Sequence, residues 1–143
     1  MSDLTSFLKK NKKTRTNTTY CFKSFLDGKG DPIPWQIRPL TSKENEAIRE
    51  ECTIETRAAG RRNRAAQYRV DTNRYMCKLM AASVVHPDLN SAELQDSYGV
   101  KTPEDLIKEM IDNPGEYTEF GLFIQSFNGF DLDINDTTEQ AKN

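Results

Sequence analysis

Thr19-Tyr20-Cys21-Phe22-Lys23-Ser24-Phe25-Leu26 is β-branched and aromatic, Asp27-Gly28-Lys29-Gly30-Asp31-Pro32 is a glycine-rich turn, and Ile33-Pro34-Trp35-Gln36-Ile37-Arg38-Pro39-Leu40 resumes the apolar pattern. Side chains of this kind fit a pleated, half-buried surface, so the reading is two short strands around a turn, with Trp35 and Ile37 on one face. Pro34 and Pro39 have no N–H to give a ladder, which predicts that the second strand is an edge or ends there. The turn is not a phosphate loop: the G-x4-G-K-[ST] spacing is missing, and no helix begins immediately after it to present its amides.

Outward from this element the chain reads as helices. Thr41-Ser42-Lys43-Glu44 is a capping box, and it opens a helix to about 51 with a thin apolar stripe of Ala47, Ile48 and Cys52. Residues 53–70 hold five arginines, Arg57, Arg61, Arg62, Arg64 and Arg69, between flanks that alternate polar and apolar; a hairpin or a long loop is expected. Asp71 or Thr72 caps a helix to about 85, with Tyr75, Met76, Leu79, Met80 and Ser83 or Val84 on its inner stripe and Pro87 ending it. Asn90-Ser91-Ala92-Glu93 reads as a second capping box, with Asn90 in the capping place, for a short helix to 98 stopped by Gly99. Thr102-Pro103 and Asn113-Pro114-Gly115-Glu116 open two more helices, since proline suits the first turn. The first presents Leu106, Ile107, Met110 and Ile111; the second presents Tyr117, Phe120, Phe123, Ile124 and Phe127 and stops at Gly129. The predicted class is α+β, a mostly helical single domain with an N-terminal β-hairpin-like element. A basic N-terminal segment at 1–18, beginning with a helical turn at 3–10 and otherwise flexible, precedes the domain at 19–130, and an acidic tail at 131–143 is expected to be disordered.

Composition bounds the chemistry. With 143 residues, 36% hydrophobic and 29% charged, the chain has room for one domain around a modest core. No apolar run approaches the ~18 residues of a membrane span, and the start lacks the apolar stretch of a signal peptide, so a cytoplasmic protein without membrane contact is expected. Cys21, Cys52 and Cys77 are an odd number of widely spaced thiols, which fits neither a disulfide framework nor the close ligand pairs of a zinc site. The single histidine, His86, falls at a predicted helix end before Pro87 with no nucleophile or carboxylate placed beside it. Asp131-Leu132-Asp133-Ile134-Asn135-Asp136 starts like a calcium loop, yet Asp136 stands where glycine must turn and Lys142 where glutamate must chelate. The acidic residues otherwise sit at helix starts, where they complement the dipole. No catalytic residue, metal or cofactor is assigned.

What remains is binding. Residues 1–80 carry 17 Lys and Arg against 9 Asp and Glu, and residues 81–143 carry 3 against 13. The arginines Arg57, Arg61, Arg62, Arg64 and Arg69 are candidates to grip an acidic protein face, with a solvated loop as the plainer reading. Nucleic acid is the weaker alternative, because the acidic half offsets the cluster and no aromatic residues interleave it for base stacking. Tyr117, Phe120 and Phe123 are candidates for a partner surface, although an aromatic stripe is more often core; Phe120 and Phe127 are expected inside, against Leu79 and Leu106.

Longer stretches of text carry a resemblance. Ser2–Lys13, Trp35–Glu46, Ile48–Thr53, Ser83–Asn90, Glu93–Met110 and Asn113–Tyr117 are similar to the XkdN-like phage tail assembly chaperones. The likeness runs from the first residues to about Phe130 and is weakest across the arginine-rich 57–69 segment. The resemblance implies a non-enzymatic protein of the host cytoplasm during prophage or phage morphogenesis, absent from the finished virion. It implies as partners the tape measure protein, kept soluble, and the tail tube protein, recruited to it, with several copies on one client or a homo-oligomer. No residue roles carry over from it. A nucleic-acid-binding or regulatory module and a virion tail subunit are the competing expectations.

Overall fold

The computed structural model describes residues 3–56 and 66–130. Strand β1 (Thr18–Leu26) runs antiparallel to β2 (Pro32–Ile37), with Thr18 opposite Ile37 and Tyr20 opposite Trp35. The turn between them closes on Asp27, whose carboxylate accepts from the backbone N–H groups of Lys29 (2.8 Å) and Asp31 (3.0 Å). Gly30 sits there at φ +85°, a conformation that a Cβ would strain.

The second strand is not an edge. A short strand, β5 (Val84–His86), pairs along its other side, with Ile37 opposite Val84 and Gln36 opposite His86, so the sheet order is β1-β2-β5. Of the two alternatives expected from proline, the edge fails because β5 engages only Gln36 and Ile37, beyond Pro34, and the ending holds, since the strand stops at Ile37 before Pro39. The same pairing shortens the helix predicted to reach 85. Helix α3 (Thr72–Ser83) stops where the β-branched Val84 and Val85 leave for the sheet, and the Arg38 N–H donates to the Ser83 carbonyl at 2.8 Å. His86 is therefore an exposed strand residue rather than a helix end.

The local caps form as their chemistry dictates. Thr41 and Glu44 close both arms of the capping box on α2 (Ser42–Glu51). Arg38 forks onto the same carboxylate at 2.6 and 3.2 Å, fastening the exit of β2 to the start of α2. Hydrogen bonds from Arg38 hold the Glu44 carboxyl down at about 2, well below its ordinary 4.5. Asp71 caps α3, Thr102 caps α5 (Pro103–Met110) and Asn113 caps α6 (Pro114–Phe127). The cap of α4 (Ala92–Ser97) is Ser91, one residue later than expected: its hydroxyl accepts from the Leu94 N–H, so Leu94 takes the place read for Glu93. Between α2 and α3 the hairpin reading is right. Strands β3 (Thr53–Thr56) and β4 (Gln67–Val70) pair with Thr53 opposite Val70 and Thr56 opposite Gln67. Near the N-terminus, helix α1 (Asp3–Phe7) and a 3-10 turn at Lys9–Asn11 precede β1.

One core joins the halves. Phe22, Trp35 and Ile37 from the sheet meet Leu79 and Met80 of α3, Leu106 and Ile107 of α5, and Phe120 and Ile124 of α6. The architecture is thus α+β and mostly helical. Lys78 ties three helices on the outside, bonding Glu51 at 2.8 Å and approaching Glu104 at 3.5 Å.

Acid should loosen the cap before the core. Because the folded Glu44 carboxyl titrates below its unfolded value, its contribution is complete above pH ~4.5 and is lost as pH falls toward 2. Glu44→Gln is expected to flatten that part of the stability-against-pH curve, measured by urea unfolding from pH 7 to pH 2.5. The pair is partly exposed, so the effect will shrink in high salt.

Candidate functional site

Helix α6 has two working faces. One carries Phe120, fully buried, with its ring centroid 4.9 Å from Tyr20 and 5.0 Å from Phe22. Phe120 is therefore core, as its spacing led one to expect, and of the candidates named for a partner surface it is the one with no exposed area. Phe123 sits at the rim of this cluster, half-buried, 4.7 Å from Tyr20 and stacked on Phe127 at 5.9 Å. Phe127, expected fully inside, is half-buried for the same reason, at the last turn of the helix.

The opposite face of α6 borders a groove against α3 and α5. Its cavity is about 400 Å³, and Met76, Lys108, Tyr117, Gly121, Leu122 and Gln125 line it. Gly121 leaves the surface of α6 bare beside the methionines of α3; a Cβ there would lie 3.5 Å from Met76 Sδ and Met80 Sδ, in ordinary van der Waals contact. Gln125 Nε2 donates to Met76 Sδ at 3.4 Å, which orients the thioether on the floor. Leu122 stands on the lip, 37% exposed. Methionine is unbranched and polarizable, so a floor of this kind adapts to more than one apolar shape. Tyr117 lines the groove, half-buried, with its hydroxyl bonded to Cys77; burial raises its pKa far above the ordinary range. Of the aromatic candidates, Tyr117 alone faces this groove.

The arginine candidates separate. Arg69 is exposed on β4, opposite Ile54. Arg57, Arg61, Arg62 and Arg64 lie outside the described residues, as does the tail at 131–143.

Two further surfaces stand out. On α1 and the residue after it, Leu4, Phe7 and Leu8 are 69%, 82% and 43% exposed. A second cavity, about 420 Å³, is lined by Lys12, Arg15, Leu40, Asn128 and Phe130. There Arg15 Nη2 donates to the Leu40 carbonyl, and the Leu40 N–H donates to Asn128 Oδ1 at 2.7 Å.

The two buried thiols are held in their neutral form. Burial pushes the Cys77 thiol up and so away from the thiolate form that attacks or binds metal, and Cys52 is shifted the same way for the same reason. Among the described residues, no group of three His, Cys, Asp or Glu is placed to hold a metal ion, and no helix is long and apolar enough to cross a membrane.

The family model for the phage XkdN-like tail assembly chaperone proteins matches residues 4–142. The chain belongs to that family. It is 30% identical to the phage-like element PBSX protein XkdN of Bacillus subtilis (strain 168) over 121 residues, which is 85% of this chain and 80% of that protein. YqbN of the same strain is 27% identical over 121 residues, covering 85% and 79%. A crystal structure of the protein YqbN superposes with a TM-score of 0.73 at 20% identity, covering 92% of this chain and 99% of that one, so the XkdN-like fold described above also occurs in a solved structure.

Sequence reading of this XkdN-like chain missed Met76, Gly121 and Leu122 as groove residues. The available signal was Gly121: a mid-helix glycine is disfavoured by ~1 kcal/mol relative to alanine, and here it leaves the helix surface bare where the groove opens beside Met76. Alanine scanning by urea denaturation should separate the two faces of α6. Phe120→Ala is expected to cost ~3–5 kcal/mol as a cavity in the core, whereas Leu122→Ala on the lip should stay within ~1 kcal/mol.

Proposed function

We propose that this protein keeps a tape measure protein soluble during tail assembly by covering its apolar helical seams, and so aids the recruitment of tail tube subunits. The observation that supports the reading is the α3–α6 groove, apolar, methionine-floored and open at the lip, on a chain of the tail assembly chaperone family. A long helical client exposes apolar side chains at i, i+4 and i+7 until the tube encloses it, and such seams aggregate when left uncovered. Release matters as much as capture. A shallow groove with a polar rim of Lys108, Thr118 and Gln125 offers modest affinity that tube subunits can outcompete.

The reading places the protein in the host cytoplasm while tails are built and leaves it out of the mature virion. Its part is that of a binding protein, not a catalyst.

Co-expression with the tape measure protein of the same phage is the test. Soluble yield of the client should rise several-fold over expression alone, and purification should return a complex with several copies of this chain. Leu122→Asp, which puts a charge on the lip, should abolish most of the gain. An unchanged yield with no complex at moderate salt would sink the reading, and recovery of this chain in purified particles would replace it with a structural role in the tail.

A further inference from the structure

The molecule carries both halves of an interface. Leu4, Phe7 and Leu8 fall at i, i+3 and i+4, the spacing at which one side of a helix meets a groove. They are exposed, up to 82% for Phe7, and none of them belongs to the core cluster of its own copy. The α3–α6 groove, with Leu122 exposed on its lip, is an apolar receptor of matching type.

We propose that α1 of one copy docks, with its apolar triad down, in the α3–α6 groove of a second copy. Charge selects this pairing. Residues 3–15 carry five cations against one carboxylate, whereas residues 103–127, which build α5 and α6, carry six carboxylates against one lysine; of these, Asp105 shares the Lys108 side of α5 beside the groove, while Glu104 is engaged by Lys78 and Glu116 and Glu119 act on Tyr20. The exceptions also complement each other: Asp3 is the carboxylate of the incoming segment and Lys108, on the groove wall, is the lone cation of those two helices. An incoming helix with Asp3 toward Lys108 and Lys9, Lys10, Lys12 and Lys13 toward the carboxylates is therefore favoured over the reverse. The occupant is a second copy and not the chain's own α1, which lies outside the groove while Arg15 fastens the root of the segment to Leu40 at the other cavity. The contact is head-to-tail, since the surface given differs from the surface received, and such contacts propagate into rings or open rows.

The inference stands on these exposed residues and does not rest on the identity of the client. If the client reading also holds, a client helix and α1 compete for one groove, so self-association serves as a cap that the client displaces.

Sedimentation of the full chain from micromolar to millimolar concentration tests it. The wild type should grow in mass with concentration. Phe7→Asp keeps a sound groove and Leu122→Asp keeps a sound α1, so each alone should remain monomeric, and an equimolar mixture of the two should restore a species of twice the monomer mass. Should Leu122→Asp lose its helical circular dichroism, Thr118→Arg on the same groove takes its place. A wild type that stays monomeric throughout overturns the proposal. So does association of the wild type that the mixed variants fail to recover, which would mean a different interface.

Discussion

Everything in this fold leans on one ring. Phe120 enters from α6 and meets Tyr20 and Phe22 of β1, with Trp35 of β2 at a centroid distance of 6.5 Å. Edge-on and tilted contacts of this kind add to the area buried, because ring edges are positive and faces negative. A small twisted sheet cannot bury its inward face alone, and a helix pair has no reason to lie beside it unless something bulky fills the space between. Phe120 fills it. Once that face of α6 is committed to the sheet, the other face is fixed toward α3 and α5, and the groove at Met76 and Gly121 follows as the geometric remainder.

The parts of this arrangement that sequence reveals are the parts decided within a few residues. The capping box at Thr41 and Glu44 and the prolines after Thr102 and Asn113 involve groups three or four positions apart, so composition alone places them. The inner stripes of α3 and α5 are legible for a similar reason, as spacing along one helix. Legibility ends where distant segments decide. Val84 could extend α3 or start a strand; the open side of Ile37 settles it, and nothing near Val84 in sequence announces that partner. The groove is the same case. Tyr117 and Phe120 look alike in a stripe and lie only about 60° apart around the helix, yet Tyr117 reaches Cys77 of α3 and Phe120 reaches the sheet, a choice made by the neighbours and not by the spacing. Family resemblance, resting on long stretches of text rather than periodicity, reached the class of the protein correctly and could say nothing about which residues face a client.

The separation of charge acquires a structural meaning in this light. Positive residues gather in the N-terminal segment and around the β3–β4 hairpin, while carboxylates gather on α4, α5 and α6. Within one copy the fold spends little of this attraction. Arg38 serves the cap at Glu44, and Lys78 bridges Glu51 and Glu104, but most carboxylates of the second half have no basic side chain assigned to them among the ion pairs of the described residues. A field left unspent inside the molecule remains available for orienting whatever approaches it from outside.

Leu40 has a mechanical consequence. Its carbonyl is held by Arg15 from the N-terminal side and its N–H by Asn128 at the end of α6. Leu40 is itself a core residue, 5% exposed, so both bonds end on a backbone position whose side chain is anchored. The segment before β1 and the end of α6, far apart in sequence, are thereby held in register with each other at the joint between β2 and α2.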